Sequence, residues 1–132
     1  RQFADGVLTD DLAPWAEAVR SVAREMEVPL VDLHARSRAV VQALGPVAAM
    51  PLAQAAAAPA QVSAALGGTT VGAAPVAGAP AAQDNAVTEP MGQAKVAFDY
   101  THLGPEGAAL FATLVTEELA RQVPALRPLL IP

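Results

Sequence analysis

The chain has 132 residues and a mass of 13.4 kDa, which is enough for one domain. Its 13 acidic and 8 basic residues give a formal net charge of −5, without any run of Lys or Arg. This balance argues against nucleic acid and anionic membranes as partners. Cysteine is absent, so disulfides, thiolate metal ligands and thiol catalysis are excluded.

The first predicted element is a helix from about Asp11 to Glu27, because apolar residues recur there with helical spacing. Thr9, Asp10 and Asp11 supply oxygens that can cap its first turn, and Pro14 is tolerated in that turn. We expect the apolar stripe, its tryptophan included, to lie in the core. The stripe consists of Leu12, Trp15, Ala16, Val19, Val22, Ala23 and Met26.

A short apolar run follows at Val28–Leu33 and does not alternate, which favours a buried parallel strand. A second helix is predicted from about His34 to Leu44, with Gly45 as the residue that ends it. Helix, strand and helix in this order are typical of an α/β sheet.

The middle of the chain, residues 46–96, is predicted to be a low-complexity loop or insertion, since residues 46–83 carry no charged side chain. Pro and Gly interrupt it every few residues, which excludes a transmembrane helix. The alanines favour a short helix around Leu52–Leu66, which Gly67 and Gly68 would end.

The last predicted helix begins at Gly104-Pro105 and stops before Pro124. A short turn near Leu126–Leu130 is expected to pack as a tail. Acidic residues are expected to face solvent on this helix, and the phenylalanine of its apolar face is expected in the core. The apolar face is Ala108, Phe111, Ala112, Val115 and Leu119, and the acidic residues are Glu106, Glu117 and Glu118.

Directly before this helix, Asp99 and His102 stand three residues apart. At this spacing the carboxylate can accept a hydrogen bond from Nδ1–H of the imidazole, which leaves Nε2 free to take a proton from a hydroxyl. These are two members of an acyl-transfer triad. The alternative for such a pair is a structural one, in which the histidine only stabilises the start of the helix.

Three stretches resemble the SGNH/GDSL hydrolases. The segment Phe98–Ala108, with its Asp-x-x-His-Leu-Gly pattern, resembles the last sequence block of that superfamily, and Trp15–Arg20 and Val28–Ala35 resemble the helix and strand ahead of it. Within the superfamily, the rhamnogalacturonan acetylesterases are the most similar. The resemblance covers residues 1–45 and 96–131.

The resemblance implies an α/β fold, here a partial three-layer flavodoxin-like domain with a long Ala/Pro-rich loop. It implies that His102 is the general base and Asp99 its orienting partner, acting on an acetylated carbohydrate or another small ester. It requires no metal or organic cofactor, and it implies a secreted or periplasmic protein.

The serine and oxyanion-hole blocks of that family are missing from this chain. Its serines, Ser21, Ser37 and Ser63, lie in predicted helices or in the low-complexity stretch, and its only asparagine is Asn85. The sequence, which opens at Arg1, is therefore expected to be the C-terminal part of one domain, residues 1–132, without its N-terminal half. Such a chain should not hydrolyse esters alone, because the missing groups contribute on the order of 10⁶ in rate.

Other interpretations stay open. Asp32 and His34 could form a metal pair or a second acid–base pair, or a joint metal site with Asp99 and His102, but a structural place for His34 at the start of a helix is favoured. Tyr100 either lines the substrate pocket or packs over the last helix. The whole chain could instead be a non-catalytic interaction fragment, with helical arms on a flexible Ala/Pro-rich spacer.

Overall fold

The structure is a computed structural model, and it describes residues 1–72 and 98–130. Helices make up 61% of it and strands 6%. The elements in chain order are β1 (Phe3–Ala4), β2 (Val7–Leu8), α1 (Ala13–Glu25), α2 (Leu33–Ala48), a 3₁₀ turn (Met50–Leu52), α3 (Pro59–Leu66), α4 (Pro105–Gln122) and a terminal 3₁₀ helix (Pro124–Leu129).

The expected three-layer α/β flavodoxin-like fold is wrong. Within the described residues there is one sheet, a two-stranded antiparallel hairpin in which Phe3 pairs with Leu8 and Ala4 with Val7. Two strands of two residues cannot form a layer that helices cover on both sides. The described part of the chain is a helical assembly with one small hairpin.

The predicted strand at Val28–Leu33 is absent as well. The chain leaves α1 through Glu27, whose φ is 52°, and Pro29 then removes one backbone donor. Asp32 already caps α2, since its side chain accepts a hydrogen bond from the Ala35 amide. An apolar run becomes a strand only beside another strand, and no strand is paired with this run in the described structure.

The predicted helices are confirmed, with differences at the start of α1 and at the end of α2. Pro14 lies in the first turn of α1 as expected, but the cap position is Leu12, and no side chain caps it. Gly45 ends the regular part of α2 with φ 72°, as its position predicts, and the last turn to Ala48 follows after this kink. The helix α3 is also observed, but it begins only at Pro59.

The expected loop over residues 46–96 is replaced in part by ordered elements, the 3₁₀ turn and α3. The rest of that prediction, residues 73–96, lies outside the described residues. No helix among the described residues has the length and apolar character needed to cross a membrane.

The core lies between the hairpin, α2 and the 3₁₀ turn. Its buried side chains are Phe3, Leu8, Val41, Ala49 and Leu52, and Leu103 and Leu110 pack against them. Thr70 fixes the hairpin to this core, because its Oγ1 accepts from the Phe3 amide at 2.8 Å and its amide donates to the Phe3 carbonyl at 2.8 Å. Such a small cluster of large side chains fits the alanine-rich composition.

The apolar stripe of α1 does not lie in the core, contrary to expectation. Of its residues only Ala23 is buried, and the Trp15 side chain is 72% exposed. The helix is instead connected to the segment before α2 by Arg20, whose Nε and Nη2 donate to Asp32 at 2.7 and 3.1 Å. This ion pair joins the end of the connecting segment to the middle of α1.

The buried face of α4 also differs from the prediction. Gly107, Leu114 and Glu118 are buried, whereas Ala108 and Ala112 are exposed. Glu118, which was expected to face solvent, is only 1% exposed. The glutamate tolerates burial because arginines surround its carboxylate.

Two arginines form an ion cluster with Glu118. Arg36 on α2 places Nε 2.8 Å from Glu118 Oε1, without an aligned hydrogen bond, and Arg121 donates to Oε2. Arg36 also donates to Glu117 Oε2 at 2.9 Å on the surface. The cluster joins α2 to α4, the helix that carries the Asp99–His102 loop at its start.

We expect Glu118→Ala to lower the free energy of unfolding by about 2 kcal/mol, since it empties a buried position and removes the charge that pairs both arginines. Urea denaturation followed by circular dichroism measures the change. The matched control is Glu117→Ala, which removes an exposed pair and should cost less than about 0.5 kcal/mol. Equal losses in the two variants would contradict the structural role of Glu118.

Candidate functional site

The backbone of the Asp99–His102 loop is fixed to the 3₁₀ turn. Leu103 forms an isolated antiparallel bridge with Ala53. The Gln54 amide donates to the His102 carbonyl at 3.2 Å, and the Gly104 amide donates to the Leu52 carbonyl at 3.0 Å. The loop therefore enters α4 along a short ladder of backbone hydrogen bonds.

Two glycines permit this close approach. A Cβ atom at Gly104 would collide with the Ala53 carbonyl, and a Cβ at Gly107 would collide with the Leu52 carbonyl. Both clashes are with backbone atoms, which cannot move aside as a flexible side chain can. The glycines thus set the distance between the start of α4 and the 3₁₀ turn.

Asp99 and His102 form the contact that their spacing predicts. Oδ2 of Asp99 lies 2.9 Å from Nδ1 of His102, while Oδ1 accepts from the Thr101 and His102 amides, both at 2.7 Å. The Gln54 side-chain amide donates to Oδ2 at 2.9 Å. Four donors therefore fix the carboxylate, and the imidazole is one of them.

These contacts lower the pKa of Asp99. Desolvation is the largest single influence and would raise the pKa, but hydrogen bonds from the His102 amide and imidazole and from the Thr101 amide together outweigh it. The carboxylate is ionised at neutral pH. An ionised Asp99 accepts from Nδ1–H, which assigns the proton of a neutral His102 to Nδ1.

The imidazole of His102 is open to solvent, with 70% of its side chain exposed. No hydrogen bond within residues 1–72 and 98–130 involves its Nε2. With Nδ1 carrying the proton, Nε2 presents a lone pair to the solvent. The ring can accept a proton there, and the resulting imidazolium would be paired with Asp99.

Arg1 and Gln54 contact the Asp99–His102 loop, and the sequence did not reveal either of them as part of the candidate site. The Arg1 guanidinium donates to the carbonyls of Thr101 at 3.1 Å and His102 at 3.2 Å, and its backbone nitrogen donates to the Tyr100 carbonyl at 2.8 Å. Nothing in a single sequence links positions about 100 residues apart. Gln54 carried a weak signal, because it is a lone polar residue among alanines.

A cavity of about 630 Å³ opens beside the carboxylate side of the pair. Asp99, Tyr100 and Thr101 form part of its wall, together with Phe111 from α4, whereas His102 does not line it. Phe111, expected in the core, is thus only half-buried. Tyr100 lines the cavity rather than only packing over α4. The Tyr100 ring contacts the Phe98 ring edge to face, with 5.0 Å between the ring centroids. Burial raises the pKa of the Tyr100 hydroxyl.

His34 also lines this cavity, and it has a different environment. Its Nε2 lies 2.7 Å from Asp10 Oδ1, and its Nδ1 lies 3.1 Å from Nη2 of Arg20. Asp10 is also paired with Arg38 at 2.9 Å. Because both ring nitrogens have fixed partners, this histidine is a structural one at the start of α2, as its position predicts.

The proposed metal interpretations receive no geometric support. Nη2 of Arg20 lies 3.1 Å from both Asp32 Oδ1 and His34 Nδ1, so a guanidinium already occupies the place where a metal ion would join the two side chains. In the described ranges, no three His, Cys, Asp or Glu side chains come together as a metal site would require.

The three serines are located on helices, Ser21 on α1, Ser37 on α2 and Ser63 on α3. Ser37 Oγ donates to the His34 carbonyl at 3.4 Å. No hydrogen bond joins a serine to His102 in the part of the chain that the structure describes. Asn85 lies outside that part.

Comparisons with models of protein families, with curated proteins and with solved structures found no match for this chain.

We expect diethyl pyrocarbonate to acylate His102 about tenfold or more faster than His34, because only His102 offers an open nitrogen lone pair. Mass spectrometry of peptides from the modified protein measures both rates. The control is Asp10→Asn, which loosens the environment of His34 and should raise the rate at His34 alone. Faster reaction of His34 in the unaltered chain would contradict the assignment of an open His102 Nε2.

The lowered pKa of Asp99 makes its contribution to stability dependent on pH. The folded protein holds the ionised form more strongly than the unfolded chain does. We therefore expect the stability lost in Asp99→Asn to be largest above pH 5, and to shrink as the pH falls through 3.8 towards the lower folded pKa. Urea unfolding of both proteins between pH 7 and pH 3 measures this difference, with the exposed Asp11→Asn as control. A difference that grows on acidification would contradict the assignment.

Proposed function

We propose that this chain is the C-terminal part of a serine ester hydrolase and supplies the Asp–His pair of its catalytic triad. The observation that carries the proposal is the 2.9 Å contact between Asp99 Oδ2 and His102 Nδ1, with Nε2 left open. The serine and the oxyanion donors would come from a segment that precedes Arg1 in the complete protein. The likeness of Phe98–Ala108 to the last sequence block of the SGNH/GDSL hydrolases supports the same assignment, although the strand and the three-layer fold that the wider resemblance implies are not observed in the described residues.

In this proposal, His102 Nε2 removes the proton from the serine hydroxyl as its oxygen attacks the ester carbonyl. The imidazolium, paired with Asp99, then gives that proton to the leaving alcohol, and the acyl group stays on the serine. Water attacks the acyl-enzyme next and loses a proton to the same nitrogen. The acid leaves, and the proton returns to the serine oxygen.

The environment of Asp99 suits this role. A carboxylate fixed by three donors besides the imidazole stays in one position while the ring charges and discharges. Its lowered pKa keeps it ionised, so that it stabilises the imidazolium by charge. The contrast with His34 supports the assignment further, because a purely structural histidine in the same chain has both nitrogens occupied.

The substrate class rests on the family resemblance, which suggests an acetyl ester of a carbohydrate. The cavity beside Asp99 adds a wall of mixed character, with the polar residues Asp99 and Thr101 and the rings of Tyr100 and Phe111, although the Tyr100 hydroxyl itself is buried. Such a wall suits a ligand with both polar and apolar faces.

The chain by itself is expected to be inactive. Purified 132-residue protein should hydrolyse p-nitrophenyl acetate no faster than its His102→Ala variant, apart from the weak background of a free imidazole. Spectrophotometry of released p-nitrophenol measures both rates. Enzyme-like saturable turnover that disappears in His102→Ala would show that the nucleophile is within this chain after all.

The positive test uses the complete protein, read from the DNA upstream of the Arg1 codon. An open reading frame with a Gly-Asp-Ser turn is expected there, and its full product should hydrolyse p-nitrophenyl acetate. His102→Ala should lower kcat/KM by about 10³-fold or more, while Glu117→Ala, an exposed position outside the cavity wall, leaves it within about threefold. A complete protein whose hydrolysis survives His102→Ala would overturn the proposal.

The competing function is a non-catalytic interaction fragment, which the exposed apolar face of α1 favours. The described helical parts do not act as separate arms, however, since Arg36 on α2 pairs with Glu117 and Glu118 on α4. In addition, a structural histidine is expected to have a hydrogen-bond partner at both ring nitrogens, whereas His102 has a partner at Nδ1 alone within the described residues. We therefore place the esterase role first.

A further inference from the structure

The Asp99 carboxylate uses its full capacity to accept hydrogen bonds, which is about four for an ionised carboxylate. Oδ1 accepts from the Thr101 and His102 amides, both at 2.7 Å. Oδ2 lies 2.9 Å from His102 Nδ1 and accepts from Gln54 Nε2 at 2.9 Å. Three of these donors belong to the loop itself. Among the described residues outside the loop, Gln54 alone donates a hydrogen bond to this carboxylate.

The donors within the loop do not fix the direction of Oδ2. The Thr101 and His102 amides both bind Oδ1, so they hold one oxygen at one point, and the carboxylate can still turn about that point. The imidazole cannot prevent this rotation, because 70% of the His102 side chain is exposed and the ring can turn with its partner. The direction of Oδ2 therefore depends on a second fixed point, which Gln54 provides.

Gln54 can act as a fixed point because its backbone belongs to the ladder beside α4. Its amide donates to the His102 carbonyl at 3.2 Å, next to the bridge between Ala53 and Leu103. Its side chain is half-buried and follows the buried Ala53. One residue thus contacts both members of the pair, His102 through its backbone and Asp99 through its side chain.

The side-chain amide has the chemistry that this position requires. It does not titrate, so it donates a hydrogen bond at acid and neutral pH alike. It also carries no charge that would repel an imidazolium at His102. A glutamate of the same shape would act in the opposite way, since an ionised carboxylate only accepts hydrogen bonds and repels Asp99.

We propose that Gln54 is a positioning residue of the ester hydrolase, whose side chain directs Asp99 Oδ2 at His102 Nδ1 and so keeps the lone pair on Nε2. The role in hydrolysis rests on the proposed function, whereas the positioning is a property of this chain. Gln54 does not line the cavity beside Asp99. It acts on the proton transfer through Asp99, so its loss should lower kcat and leave KM nearly unchanged.

Nitrogen-15 NMR of the histidine rings in the purified 132-residue chain tests the positioning, because it distinguishes the two tautomers of a neutral imidazole. Gln54→Met keeps the length of the side chain and removes the donor. It should lower the ratio of the Nδ1–H to the Nε2–H form of His102 about threefold or more. The matched control, Gln122→Met, makes the same change at the exposed end of α4 and should leave the ratio unchanged.

The ring of His34 reports in the same spectra whether the variants fold. Its contacts with Asp10 and Arg20 join residues 24 and 14 positions apart, so its tautomer persists only in folded protein. We expect the His34 signals to be the same in the parent chain, in Gln54→Met and in Gln54→Glu. The second variant keeps the shape of glutamine and should lower the His102 ratio as well.

Hydrolysis of p-nitrophenyl acetate by the complete protein tests the role in the reaction. Gln54→Met should lower kcat about tenfold and leave KM within about twofold, while Gln122→Met matches the parent. Gln54→Glu should lower kcat further, because its carboxylate repels Asp99. A residue that only filled space would give the opposite order, since glutamate matches the shape of glutamine more closely than methionine does.

The possible results separate this proposal from the proposed function. An unchanged tautomer ratio in folded Gln54→Met, or a Gln54→Glu enzyme as active as the parent, would overturn the role of Gln54. A complete protein without hydrolysis, or one whose hydrolysis survives His102→Ala, would overturn the proposed function instead. The tautomer ratio would then still decide whether Gln54 positions the pair.

Discussion

The close approach of α4 to the 3₁₀ turn is the constraint on which the rest of the site depends. It is possible because Gly104 and Gly107 have no side chain where the carbonyls of Ala53 and Leu52 lie. The backbone ladder beside it fixes the His102 carbonyl, and Gln54, at the end of the same turn, donates to Asp99. Packing of one helix start against one turn therefore orients both members of the pair.

The chain contains two histidine–aspartate pairs, and they have different chemical capacities. In His34, Nε2 contacts Asp10 and Nδ1 contacts Arg20, so neither ring nitrogen is open to another partner. His102 is held at one nitrogen only, and the other is open to water. Both histidines have an acidic neighbour. What distinguishes them is the second ring nitrogen, which has a partner in the structural His34 and is open in His102, where it can take up a proton.

The sequence predicted what depends on local spacing. Pro14, Gly45 and the Gly104-Pro105 step mark helix limits through their own backbone preferences, and the Asp99–His102 contact needs only three residues of separation. The sequence-based prediction was wrong where the structure of a segment depends on contacts with distant parts of the chain. Val28–Leu33 forms no strand because pairing needs a neighbour, and Glu118 is buried because Arg36, far away in sequence, supplies the charge.

The bracing of the loop by Arg1 ties the site to the order of folding. Its hydrogen bonds to Thr101 and His102 span 100 and 101 residues, so they form only after these distant segments have been brought together. Contacts of such long range, on an exposed loop, are also the ones that local opening breaks at low free energy. The brace by Arg1 is therefore expected to form late and to open early, whereas the local contact between Asp99 and His102 does not depend on it.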